Sequence, residues 1–213
     1  PINPALYYVF TVDYSGGSRG LRYSIVDLSL SAGLGSVTTK NILLMSNTTE
    51  KIGVVRHCNN RDFWILGHEY NSNRFFVFAL TDAGLNTTPN IQSIGMSHNG
   101  GIANKLGYMK PSPDGTKLAC AIFFLNTVNL FDFDNSTGIL SNPLNITDPL
   151  LRGAYGIEFS RDAQILYATA LEPFGKLLQF DLSSNNAATI LASAVTLAQH
   201  PVRYEYGSLQ MAS

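Results

Sequence analysis

The 213-residue chain is 45% hydrophobic and 14% charged, enough apolar surface to bury a sizeable core. A formal net charge of −1 with scattered basic residues argues against a nucleic-acid partner and against an anionic membrane surface. No apolar run reaches the length of a membrane span, so no membrane insertion is expected, and no signal peptide precedes Pro1, which suits a cytoplasmic, processed or truncated chain.

Taken in order, residues 1–6 form a loop entering a predicted strand at residues 7–12. Ser15-Gly16-Gly17-Ser18-Arg19-Gly20 is a turn, and residues 24–28 alternate toward Asp27. A Gly-containing hairpin at 31–36 leads to a weaker strand at 39–45. Strands follow at 51–55 and 62–67, the second holding the sole tryptophan, Trp64, with His57-Cys58-Asn59-Asn60-Arg61 as the turn between them. After a polar loop at 96–103 comes the most regular stretch. There Lys110-Pro111-Ser112-Pro113-Asp114-Gly115 turns into an apolar strand at 116–125, and a second strand ends on Asp132-Phe133-Asp134. Ser160-Arg161-Asp162-Ala163 repeats that turn, residues 165–170 and 178–182 repeat the two strands, and 188–192 reads as a weak outer strand. Residues 206–212 repeat an inner strand.

Asp132 serves as a ruler for the repeat. Asp27 and Asp181 occupy its position, Ala79 stands there in the second unit, and the period is about 50 residues. Four short antiparallel strands per unit at that period predict an all-β fold, a β-propeller with about four blades of four strands. The blades are expected at 5–47 (lacking its innermost strand), 50–95, 104–147 and 153–194, with the start of a further blade at 203–213. The unmatched strand at the end predicts a fragment of a larger propeller, all within a single domain. Almost no helix is expected.

In such a fold, loops between second and third strands and between blades build one face, which would carry Arg19, His98, Arg152, Glu172, His200 and Arg203. Inner strands line a channel, and Lys110, Glu158 and Gln210 share one aligned position there. Side chains converging in this way could bind a sugar, a carboxylate or a cation; equally, a wet channel needs polar walls. No His-x-x-x-His or Cys-x-x-Cys spacing points to a metal, and no phosphate-cradling Gly-rich loop or catalytic motif is present, so neither metal nor cofactor nor catalytic residue is expected. His57 beside Cys58 lies on the turn away from the expected face, and Asp132, Asp134 and Asn135 fit a turn better than a calcium loop. Cys58 and Cys120 are expected to be reduced unless their Cα atoms come within about 7 Å.

Four stretches carry a family resemblance: Tyr7-Tyr8-Val9-Phe10-Thr11-Val12-Asp13, Gly20-Leu21-Arg22-Tyr23-Ser24, residues 51–64, and Gly107-Tyr108-Met109-Lys110-Pro111-Ser112-Pro113-Asp114-Gly115. They resemble the amino-terminal propeller region of surface proteins exported by the type IX secretion system of gliding bacteria. Such proteins often carry immunoglobulin-like or polycystic-kidney-disease-type repeats and end in a sorting domain. The resemblance covers nearly the whole chain and implies a bacterial, extracellular or cell-surface location and further domains in the same polypeptide. It implies a non-enzymatic binding or adhesion module whose partners are glycans, surface polymers or proteins, and it transfers no catalytic residue. Two alternatives stand beside it. One is a hydrolase resembling propeller lactonases, in which Glu158, His98 and Arg203 would converge as general-base machinery. The other is a scaffold for protein partners.

Overall fold

The computed structural model describes residues 3–202 and 206–212. The chain folds into four antiparallel sheets, three of them simple meanders of strands consecutive in sequence. The first sheet has three strands, β1 (Leu6–Val12), β2 (Leu21–Asp27) and β3 (Ser36–Met45). The second comprises β4 (Thr48–Arg56), β5 (Phe63–Glu69) and β6 (Arg74–Thr81), with short β7 (Gly84–Leu85) and β8 (Asn90–Ser93) both paired to β6. The third runs β9 (Met109–Pro111), β10 (Lys117–Ile122), β11 (Thr127–Asp134) and β12 (Ile139–Thr147). The fourth runs β13 (Ala154–Phe159), β14 (Ile165–Ala170), β15 (Lys176–Asp181) and β16 (Val195–Gln199).

The core consists of three apolar layers, one between each pair of successive sheets. Leu21, Met45, Ile65 and Phe78 join the first two; Val55, Phe75, Leu118 and Phe131 join the second and third; Ala121, Val128, Ile157 and Phe180 join the last two. The third sheet is therefore covered on both faces, which explains why β10 and β11 are buried almost throughout instead of alternating. Strands β4, β9 and β13 lead their sheets and lie next to one another at the common inner edge.

The repeated turns have a shared chemistry. Ser112 Oγ donates to Asp114 Oδ1 at 2.5 Å and accepts from Lys117 N–H at 2.9 Å. Ser160 Oγ does the same with Asp162 Oδ1 at 2.6 Å and Ile165 N–H at 2.9 Å. The ruler aspartate of the third unit is held across its own sheet: Asp132 pairs with Lys117 at 3.1 Å and accepts from Asn142 Nδ2 at 2.8 Å. Asp134 accepts from Ser136 and Thr137, and those bonds hold its pKa down at about 2. Turn chemistry thus occupies both of its oxygens.

Two expectations need correction. Residues 188–192 are not a strand: they lie in a six-residue helix, α1 (Ala187–Ala192), whose N-cap Asn186 accepts from Thr189 N–H at 3.0 Å. The cap and two alanines start a helical turn, Ile190 buries into the last apolar layer, and the outer strand moves to β16, past the expected boundary at 194. Residues 206–212 form no assigned strand; they run beside β13. Thr169 Oγ1 donates to the Gly207 carbonyl at 3.1 Å, and Gly156 makes room for that oxygen, which would stand 2.5 Å from a Cβ there. Cys58 is exposed and Cys120 buried, both free thiols; burial pushes the Cys120 thiol up to about 12.

Candidate functional site

Inner strands β9 and β13 bring Lys110 and Glu158 together. Lys110 Nζ lies 3.0 Å from Glu158 Oε2 and donates to Gln210 Oε1 at 3.3 Å. Glu158 also accepts from Phe159 N–H at 3.1 Å and from Met211 N–H at 3.3 Å. The two charged side chains are 20% and 12% exposed, sheltered enough to interact strongly yet open to a ligand. They stand in the wall of an open cavity of about 720 Å³, within the size range of small-molecule sites.

The same wall takes Arg56, His57 and Cys58 from the end of β4 and its turn, and Asp114 from the turn after β9. His57 Nδ1 accepts from Asn59 N–H at 3.0 Å, lies 3.6 Å from Cys58 Sγ, and its ring stacks on Trp64 with centroids 5.5 Å apart. Partial burial raises the Asp114 pKa, but bonds from Ser112 and Thr116 outweigh it and hold the carboxyl below its usual range. These four residues were missed as site members because the turn was assigned to the side away from ligands. A signal did exist. His57, Ser112 and Ser160 each donate their N–H across the turn at 2.9 Å, to Asp62, Lys117 and Ile165 respectively. Lys110 and Glu158 stand two residues before Ser112 and Ser160, so the turns must border whatever those side chains face.

The remaining candidates are not gathered with them. Arg19 pairs with Asp13 at 3.1 Å in the wall of a separate cavity. Arg152 and Glu172 form their own exposed pair at 3.2 Å. His98 is a correction: it is fully buried, its ring stacked on His68 with centroids 3.6 Å apart. Its backbone bonds to Ser72 and Asn71 turn the residue inward, and among the described residues neither ring nitrogen of His98 has a hydrogen-bond partner. His200 packs against Tyr206 with ring centroids 4.7 Å apart. Arg203 lies outside the described residues. The trio Glu158, His98 and Arg203 is thus not assembled, since His98 is sealed in the core and lines no part of the Glu158 cavity. Among the described residues no group of three His, Cys, Asp or Glu side chains is placed to hold a metal ion.

No family model matches the chain, and no curated protein does. Solved structures do. A protein from Bacteroides uniformis, described provisionally as a 6-phosphogluconolactonase, aligns over 94% of this chain and 55% of its own, with a TM-score of 0.59 and 16% identity. One from Bacteroides fragilis with the same provisional description aligns over 93% and 57%, with a TM-score of 0.54 and 11% identity. A Lactobacillus plantarum protein aligns over 90% and 53%, with a TM-score of 0.54 and 16% identity. The four sheets are blades of a β-propeller. The chain spans just over half the length of these neighbours, and at such identities the likeness shows the fold alone. The expectation of a non-enzymatic adhesion module is corrected by them: two of the three are described as lactonases and none as an adhesin.

Proposed function

We propose that this chain supplies the hydrolytic site of a propeller hydrolase that opens lactones, with Glu158 as general base and Lys110 as electrostatic partner of the oxyanion. One observation carries the reading: an acid and a cation, 3.0 Å apart, in the wall of an open 720 Å³ cavity. The provisional descriptions of the structural neighbours support the substrate class.

The chemistry needs no more than these groups. A lactone carbonyl placed at the Lys110 ammonium competes with Glu158 Oε2 for its protons. Water attacks the carbonyl carbon while Glu158 takes one of its protons. The oxyanion forms against the ammonium, which stabilises it. The ring C–O bond then breaks, and the protonated Glu158 returns its proton to the leaving alkoxide, giving the open hydroxy acid. Gln210, bonded to Lys110 through its Oε1, positions the ammonium.

The test is hydrolysis of aldonolactones followed by pH-stat above the spontaneous rate. Glu158→Gln should lower kcat/KM by about 100-fold, and Lys110→Met by a comparable factor. A wild-type chain with no activity on any lactone, or a Glu158→Gln variant as fast as wild type, overturns the proposal.

A further inference from the structure

A second, smaller hollow of about 330 Å³ opens where the inner strands begin. Three tyrosines stand in its wall: Tyr14 from the connection after β1, Tyr108 just ahead of β9, and Tyr155 on β13. Tyr108 and Tyr155 meet edge to face with centroids 5.5 Å apart, and Tyr14 is 86% exposed with no ring partner among the described residues. Glu50 brings a carboxylate into the same wall. Burial, and the neighbouring Tyr108, Glu50 and Tyr14, raise the Tyr155 phenol pKa, so these four groups share one small volume.

The charges nearby are committed unequally. Asp13 is held by Arg19 at 3.1 Å. Lys51 feels the Glu50 charge, but its ammonium donates to the carbonyls of Asn104, Lys105 and Leu106 at 3.1, 3.1 and 2.7 Å, leaving no proton for a carboxylate. Lys105 donates to the Gly16 carbonyl at 2.9 Å and lies over the Tyr70 ring. Glu50 accepts only the Ser15 N–H and forms no ion pair among the described residues. An aromatic wall with one carboxylate lacking an ion-pair partner suits a soft cation, which gains both ring-face attraction and charge neutralisation.

We infer that this hollow binds a small organic cation, an alkylammonium group seated against Tyr14, Tyr108 and Tyr155 with its charge met by Glu50. The probe is tetramethylammonium chloride, titrated into the protein by NMR against sodium chloride at matched ionic strength and against methyl glucoside as a neutral ring. Saturable shifts of the Tyr108 and Tyr155 ring signals are expected with tetramethylammonium alone. Tyr14→Ala and Glu50→Gln should each weaken binding about three-fold or more. Glutamine keeps an acceptor for the Ser15 N–H, so the loop survives that change. Shifts no larger than those with sodium chloride, affinity unchanged in both variants, or preferential binding of methyl glucoside would each overturn the inference. None of these outcomes bears on Glu158.

Discussion

Lys51 and Lys110 both stand on leading strands, β4 and β9, and they do opposite jobs. The Lys110 ammonium meets a carboxylate at an open cavity, where exchange with a ligand is cheap. The Lys51 ammonium is sealed among three carbonyls, pinning the 102–106 turn, a short 3-10 helix at Ile102–Lys105, beneath the inner strands. Burial pulls its pKa down to about 7, and the neighbouring Cys120 and Glu50 only partly oppose that pull. What meets the charge differs: an ion pair at an open cavity can be exchanged for a ligand, while a saturated cage holds structure.

Exchanging each lysine for methionine tests this contrast most strongly. Lys51→Met strands three buried carbonyls, for a loss of about 4 kcal/mol of stability. Lys110→Met breaks a half-buried pair whose carboxylate can still reach water in the open cavity, and should cost about 2 kcal/mol, half the Lys51 loss. Urea unfolding of the two variants measures both. Equal losses would mean that the Lys110 pair is structural too, which would remove the basis for assigning it a catalytic part.

Protons sharpen the comparison at the next magnitude. Burial holds the His68 pKa down at about 3, and Lys51 adds to that depression. Burial, then the neighbouring His68 and Lys51, puts His98 well below its ordinary value. Both folded pKa values lie below the unfolded value of about 6.5, so unfolding takes up protons. The stability is present in full above pH 6.5 and drains as pH falls toward the folded values, at up to about 1.4 kcal/mol per unit for each imidazole. Between pH 7.5 and 5.5 the pair should lose about 3 kcal/mol. Depressed carboxyls such as Asp114 and Asp134 contribute their losses only below about pH 4, outside that window. His98→Phe keeps a ring on His68 and removes one of the two imidazoles, so the slope of melting temperature on pH should fall by about a third to a half, with Lys51, whose pKa of about 7 also lies below its unfolded value, keeping its share. A slope unchanged by the substitution would show that these imidazoles are not what acid attacks.

The sequence made the repeat legible because its cause is local. A Ser-x-Asp turn leading into a strand is fixed by hydrogen bonds within six residues, and the third and fourth units both carry it. Register then placed Lys110, Glu158 and Gln210 at one level, and the structure brings them within 3.0 and 3.3 Å. Placement by loop polarity was misleading. His98 sits in a polar stretch, Ser97-His98-Asn99, yet its backbone bonds to residues 71 and 72 draw it inside. Residues 187–192 are apolar either way, and only the Asn186 cap separates helix from strand. The Arg56-His57-Cys58 contribution depends on how neighbouring blades stack, which no single repeat encodes.

The smallest effect compares two turns of one design. Gly115 and Ala163 occupy the same turn position, with φ of 70° and 58°. At Gly115 a Cβ would meet Asn135 Nδ2 at 3.1 Å and Val55 Cγ1 at 3.2 Å, besides the left-handed backbone. At Ala163 the chain already carries that backbone strain, with its methyl buried. Gly115→Ala should therefore cost more than about 1 kcal/mol, adding contact strain to backbone strain. Ala163→Gly should stabilise by only about 0.5 kcal/mol, because relief of the left-handed backbone is partly offset by a freer unfolded chain and a lost buried methyl. Thermal melts of both variants measure the difference. If Ala163→Gly destabilises instead, burial of that methyl outweighs backbone strain, and the second turn is held by packing where the first is held by its glycine.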